Sequence, residues 1–239
     1  MTESFDGLKT LIVIAASAGF LHTLLGPDHY IPFTVIARAK KWSIARTSWV
    51  TVLSGLGHVL SAVMLGILGV TFGVAVTRME AFDAFRGHIA GWALIMLGLV
   101  YFIWGVRKAI RNRPHTHFHI HEDEKAHAHT HVHHREHVHV HETEGTNLTP
   151  WVLFTVLVFG PCEALIPILI YPAVKGNWLG IAVVVTVFGL TTIATMLGMV
   201  LASYMGLKAI PLGRAERYSH ALAGATIFVC GIMVQFMGL

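Results

Sequence analysis

The chain has 239 residues, 54% of them hydrophobic and only 13% charged, with a mean hydropathy of +0.64. Soluble domains carry about 25% charged residues, so this composition excludes an ordinary soluble domain and indicates an integral membrane protein. The formal net charge of +4 is informative by position rather than as a sum.

The N-terminal "MTESFDG" is acidic and lacks the basic region of a signal peptide, so no cleavage is expected. A spanning helix needs about 20 apolar residues. Six segments qualify: 8–37 (broken), 43–74, 86–106, 150–174 (broken), 178–205 and 217–238. Lys and Arg divide unevenly between the connections. Arg38, Lys40, Lys41 and Arg46 follow the first span; Arg107, Lys108, Arg111, Arg113, Lys125 and Arg135 follow the third; Lys208, Arg214 and Arg217 follow the fifth. The opposite side holds only Lys9, Arg78, Arg86 and Lys175. Thirteen cations against four predict a multi-pass cell-membrane protein with both termini outside and the long middle connection in the cytoplasm.

That connection contains "HTHFHIHEDEKAHAHTHVHHREHVHVH" (115–141), with twelve of the seventeen histidines. Its period-two alternation has no apolar face to bury, so a disordered loop is expected rather than a strand. Dense imidazole suits capture or buffering of a transition metal; the bland alternative is a solvated linker. The predicted organisation is a first three-helix unit (1–106), the histidine-rich loop (107–149) and a second three-helix unit (150–239).

The two units resemble each other. "GPDHYIP" (26–32) matches "GPCEALIP" (160–167) with one inserted residue, and "GLGHVLSAVMLG" (55–66) matches "VFGLTTIATMLG" (187–198). Met64 and Met196, like His88 and His220, stand 132 residues apart. An odd number of spans per repeat forces opposite orientations. The fold class expected is therefore all-α integral membrane, with six transmembrane helices in two inverted repeats.

A proline inside a helix removes its own donor and frees the carbonyl four residues earlier. Pro27 frees Thr23, Pro32 frees Asp28, Pro161 frees Leu157 and Pro167 frees Glu163. Gly26 and Gly160 would let the chain turn. Unpaired backbone at membrane depth needs a polar cavity or protein partner, so each motif is read as a broken helix lining a polar site. Asp28 and Glu163 are the only acids placed within the six spans. A mid-membrane carboxylate is costly unless paired, and two at matching positions predict a cation site.

His22 and His29 would sit about 10 Å apart on an unbroken helix, too far to share an ion. The break at Gly26–Pro27 could bring them together; otherwise they serve successive positions on a path. His58, flanked by glycines, is expected to face the same site, and its repeat counterpart is Leu190. Cys162 occupies the place of Asp28 in the second motif and is a candidate soft ligand. The predicted metal set is His22, Asp28, His29, His58, Cys162 and Glu163. Each has a plainer reading as a packing or hydrogen-bonding residue. His88 and His220, at span edges, are read as interfacial, and Cys230 as packing.

"FLHTLLGPDHYIP" with "FGPCEALIP" and the histidine-rich connection resembles the nickel/cobalt transporter superfamily, in particular its compact six-span efflux and urease-accessory branches. The spacing of five residues between His22 and Asp28, against four in the larger permeases, argues for those branches. The resemblance implies a secondary transporter of Ni²⁺ or Co²⁺, with Zn²⁺ also accommodated, working by alternating access. It implies no enzymatic activity and no cofactor beyond the transported ion. The partners implied are the ion, the bilayer and, in some branches, a homo-oligomer or metal chaperone, with no nucleic acid. Three alternatives stay open. An anion exporter would want mid-span basic groups. A metal-handling accessory protein would not transport. A membrane thiol–disulfide carrier has paired Pro-Cys breaks, whereas here the first position is Asp28.

Overall fold

The computed structural model describes residues 2–111, 115–119, 127–131, 148–162 and 164–237. Eight α-helices dominate these described residues. The first pass is broken into α1 (Thr2–Leu25), a 3-10 turn (Pro27–His29) and α2 (Ile31–Ala39). Then come α3 (Ile44–Thr71) and α4 (Val76–Arg111). After the middle connection, α5 (Leu148–Phe159) and α6 (Leu165–Val174) form a second broken element. It is followed by α7 (Trp178–Ala209), a 3-10 segment (Gly213–Tyr218) and α8 (Ser219–Met237).

Five of these helices are long and apolar enough to cross a membrane, beginning at Gly7, Ile44, Val76, Trp178 and Ala215; α5 and α6 are shorter apolar helices. Large apolar side chains face outward along them, among them Val13, Trp49, Met64 and Leu190. The chain is thus a multi-pass membrane protein. Outward apolar surface of this kind suits lipid contact, since lipid tails are as apolar as leucine.

The breaks fall where the prolines demand. Pro27 opens the 3-10 turn and Pro32 lies in the first turn of α2, where a missing N–H costs nothing. Pro161 precedes α6, and Pro167 lies in its first turn. Local signals set other ends. The Ser43 hydroxyl accepts from the Arg46 N–H at 3.2 Å to start α3, and Asn177 caps α7 through Gly180 at 2.9 Å. Gly73 and Gly176 take positive φ in the turns after α3 and α6.

One expectation about the third span needs correcting. The helix begins at Val76 rather than near residue 86, which places Asp83 and Arg86 inside it. The expectation that Asp28 and Glu163 are the only acids within the spans is therefore corrected by Asp83, and Arg86 is a helical arginine. Within the histidine tract, His115–His119 and His127–His131 pair antiparallel in register His115↔His131, where no regular structure was expected. The remaining tract histidines lie outside the described residues.

Helices α4 and α8 pack along a line of glycines. A side chain on Gly98 would meet the backbone of Phe228, one on Gly105 that of Ala221, and one on Gly224 that of Phe102. The seven-residue spacing of Gly91, Gly98 and Gly105, and of Gly224 and Gly231, keeps these small positions on one face of each helix. Close backbone approach is how helices associate where no hydrophobic effect acts between them. Elsewhere α1 packs on α7, and α3 packs on both α5 and α7. These pairings enclose two apolar clusters, one around Phe33, Met196 and Ile227, the other around Ala62, Leu165 and Phe188.

Candidate metal centre

The first break and the middle of α3 converge on three imidazoles. His22 arrives from the last turn of α1, His29 from the 3-10 turn, and His58 from α3, about 20 Å from either helix end at 1.5 Å per residue. His29 and His58 are buried, and His22 is half-buried. The Nε2 of His58 lies 3.4 Å from His29 Nε2 and 3.5 Å from His22 Nε2. One nitrogen from each ring falls within 4.8 Å of the other two. The break has therefore brought His22 and His29 together, which their spacing on a continuous helix would forbid.

The far nitrogens fix the tautomers. His58 Nδ1 lies 2.9 Å from the Leu157 carbonyl, an acceptor only, so Nδ1–H donates and Nε2 keeps its lone pair. Pro161 removes the donor four residues on, so the carbonyl is shared between His58 and the Gly160 N–H at 3.0 Å. His29 Nδ1 donates to Asp28 Oδ1 at 2.9 Å, with the Gly26 carbonyl at 3.2 Å. Its Nε2 lone pair also points inward. A carboxylate or carbonyl behind a histidine is the usual support of a metal-ligating imidazole.

Gly26 has φ −82° and ψ 98°, an ordinary extended conformation, so the glycine is not there to turn the chain. It makes room: a Cβ would stand 2.5 Å from His29 Nδ1 and 3.0 Å from Asp28 Oδ1. Gly160 serves likewise beside the Leu157 carbonyl, 3.0 Å from where its Cβ would lie.

The remaining candidates separate. Asp28 stands behind His29, on the nitrogen facing away from the cluster. Cys162 is fully buried in the second apolar cluster and is not among the clustered ligands. Glu163 lies outside the described residues. His88 pairs with Gln235 at 2.9 Å. His220 bonds Tyr101 at 2.8 Å and Lys108 at 3.2 Å. A cavity of about 440 Å³ extends from His22, Asp28 and His29 past Pro161 to His88 and Gln235.

Two functional-site neighbours escaped the sequence reading. Asp83 is fully buried and accepts from Arg86 Nη1 at 3.0 Å and from the Cys162 N–H at 2.9 Å. Arg86 Nη2 donates to Ser61 Oγ at 3.0 Å and to the Val158 carbonyl at 2.9 Å. The pair binds the loose backbone at the second break from both sides, one residue from Leu157 and one from Pro161. Their only sequence signal was an Asp-x-x-Arg spacing at the edge of an apolar run.

The family model for the cytochrome C biogenesis protein transmembrane region matches residues 31–233. This overturns the assignment to the nickel/cobalt transporter superfamily, and with it the reading as a secondary transporter of Ni²⁺ or Co²⁺. Of the features that carried that assignment, His22 and the Gly-Pro-Asp-His segment precede the matched residues, whereas the match runs from α2 through the second broken element and into α8. Comparison with curated proteins and with solved structures finds no match. By the extent of the family match, the chain belongs to the family of the cytochrome C biogenesis protein transmembrane region.

Proposed function

We propose that the chain is a membrane protein of the cytochrome c biogenesis and thiol–disulfide type whose central site binds a transition-metal ion through His22, His29 and His58. The observation that carries this reading is the Nε2 separation of 3.4–3.5 Å about His58. Two inward lone pairs at that distance repel unless a proton or cation lies between them. Two nitrogens bound at about 2.0–2.1 Å to one tetrahedral ion stand roughly 3.3–3.4 Å apart. Imidazole suits zinc and copper, and Asp28 supplies a negative charge behind His29.

Three protein ligands leave a fourth position for a small ligand, and the adjoining cavity gives it room. Asp28 stands where a thiol–disulfide carrier of two Pro-Cys breaks would have its first cysteine. Cys162 and Cys230 are both free, and they belong to different apolar clusters. A dithiol between the two breaks is thus replaced here by an imidazole centre.

The finer architecture belongs to the same proposal. Two inverted three-helix repeats are supported by the packing of α1 on α7 alongside that of α3 on α5, with α4 and α8 as the self-related pair. The charge bias supports the histidine-rich connection being cytoplasmic.

The test is equilibrium dialysis of the full chain, with the twelve tract histidines changed to serine, against Zn²⁺. One ion per chain is expected, with His29→Ala and His58→Ala each losing it. Absence of tight binding in the parent protein contradicts the reading.

A further inference from the structure

Three connections meet in a second site that shares no lining residue with the histidine centre. Lys40 and Lys41 come from the link between α2 and α3, and Arg46 from the first turn of α3. Lys108 lies in the last turn of α4 and Arg217 in the 3-10 segment before α8. All five line one cleft of about 800 Å³. Among the described residues a single carboxylate, Glu216, lines it with them. Arg38 already holds that carboxylate through two bonds of 3.4 and 3.3 Å, and Lys41 approaches it at 3.9 Å.

The cations are held in place. Arg46 lies over the Trp42 ring at 5.2 Å and Lys108 over Trp104 at 4.9 Å. Lys108 also reaches His220 at 3.2 Å, and Lys40 donates to Thr149. The helix ends of α2 and α4 favour positive charge, but not five cations around one space. Burial first, then the charges of Arg46 and Lys108, push the Lys40 ammonium below its ordinary range. An anion seated among them relieves that repulsion.

We propose that this cleft binds a phosphate-bearing anion, either the headgroup of an anionic phospholipid or free phosphate. Two features define the class. Several ammonium and guanidinium donors converge on a space large enough for a phosphodiester with its glycerol, and basic pockets between membrane helices take such headgroups. The Trp42 and Trp104 rings that line the cleft suit the interface between water and lipid. The site uses none of the residues of the histidine centre, so either can fail without the other.

The experiment uses the full chain in neutral detergent. Binding of short-chain phosphatidylglycerol, short-chain phosphatidylcholine and inorganic phosphate is measured by native mass spectrometry and by thermal shift. Phosphatidylglycerol is expected to bind at least tenfold more tightly than phosphatidylcholine and to raise the melting temperature. Lys40→Gln/Lys108→Gln should lose that preference. The exposed single change Arg46→Gln should weaken it several-fold with the fold intact, and Lys175→Gln, outside the cleft, should not alter it. Saturable binding of phosphate alone, lost in the same variants, assigns the solution ion as the source. If neither anion binds better than phosphatidylcholine, or if both cleft variants keep full binding, the proposal is wrong.

Discussion

His58 Nδ1 donates to the Leu157 carbonyl at 2.9 Å, and this one bond joins the first half of the chain to the second at the centre of the molecule. The donor lies in mid-α3. The acceptor lacks its usual helical donor because Pro161, four residues on, has no N–H, and it shares its second lone pair with the Gly160 N–H at 3.0 Å. The bond orients the ring and holds its Nε2 lone pair toward His22 and His29. Pro161→Ala restores a competing donor for Leu157. Zinc affinity should fall about tenfold or more, as for other outer partners of metal ligands, when measured by competition with a chromogenic chelator.

Asp28 orients His29 and adds charge behind it, without standing in the cluster. Asp28→Asn keeps an acceptor but removes the charge, and should weaken zinc binding by about 10–100-fold. His29→Ala should abolish it. Equal loss in the two variants would instead make Asp28 a direct ligand.

Asp83 and Arg86 anchor the second break by hydrogen bonds to the Cys162 N–H and the Val158 carbonyl. Breaking a buried pair by removing one partner costs about 3–5 kcal/mol, because the other charge is left uncompensated. Asp83→Asn or Arg86→Gln should each lower thermal stability in detergent sharply. The double variant should lose less than the two effects added.

The glycine seam between α4 and α8 leaves no space for a side chain. Gly98→Leu should cost more stability than the same change at Gly198, where no atom lies within 4 Å of a built Cβ. Thermal unfolding of both variants, side by side, measures the difference.

Much of this was legible in the sequence. The two broken elements and the missing helical donor opposite the Leu157 carbonyl follow from Pro27, Pro32, Pro161 and Pro167, because proline acts locally and through one known atom. The convergence of His22, His29 and His58 was legible once the break between the first two was recognised. Other features were not. Asp83 and Arg86 neutralise each other inside α4, whereas an apolar window sees only two charges and starts the helix after them. The role of Gly26 depends on which way His29 turns, and that is set by Asp28 rather than by backbone preference. Cys162 matched Asp28 by position in the repeat, yet its side chain is buried in an apolar cluster away from the histidines. The family was misread because the two Gly-Pro motifs and the histidine-rich connection outweighed the pattern of the helices.

The central claim, that the three histidines bind one metal ion, is tested most directly by X-ray absorption on the zinc-loaded full chain with its tract histidines changed to serine. One ion per chain is expected, with three imidazole nitrogens at about 2.0–2.1 Å and loss of that signal in His58→Ala. An oxygen-only shell, or an unchanged spectrum in His58→Ala, would contradict it.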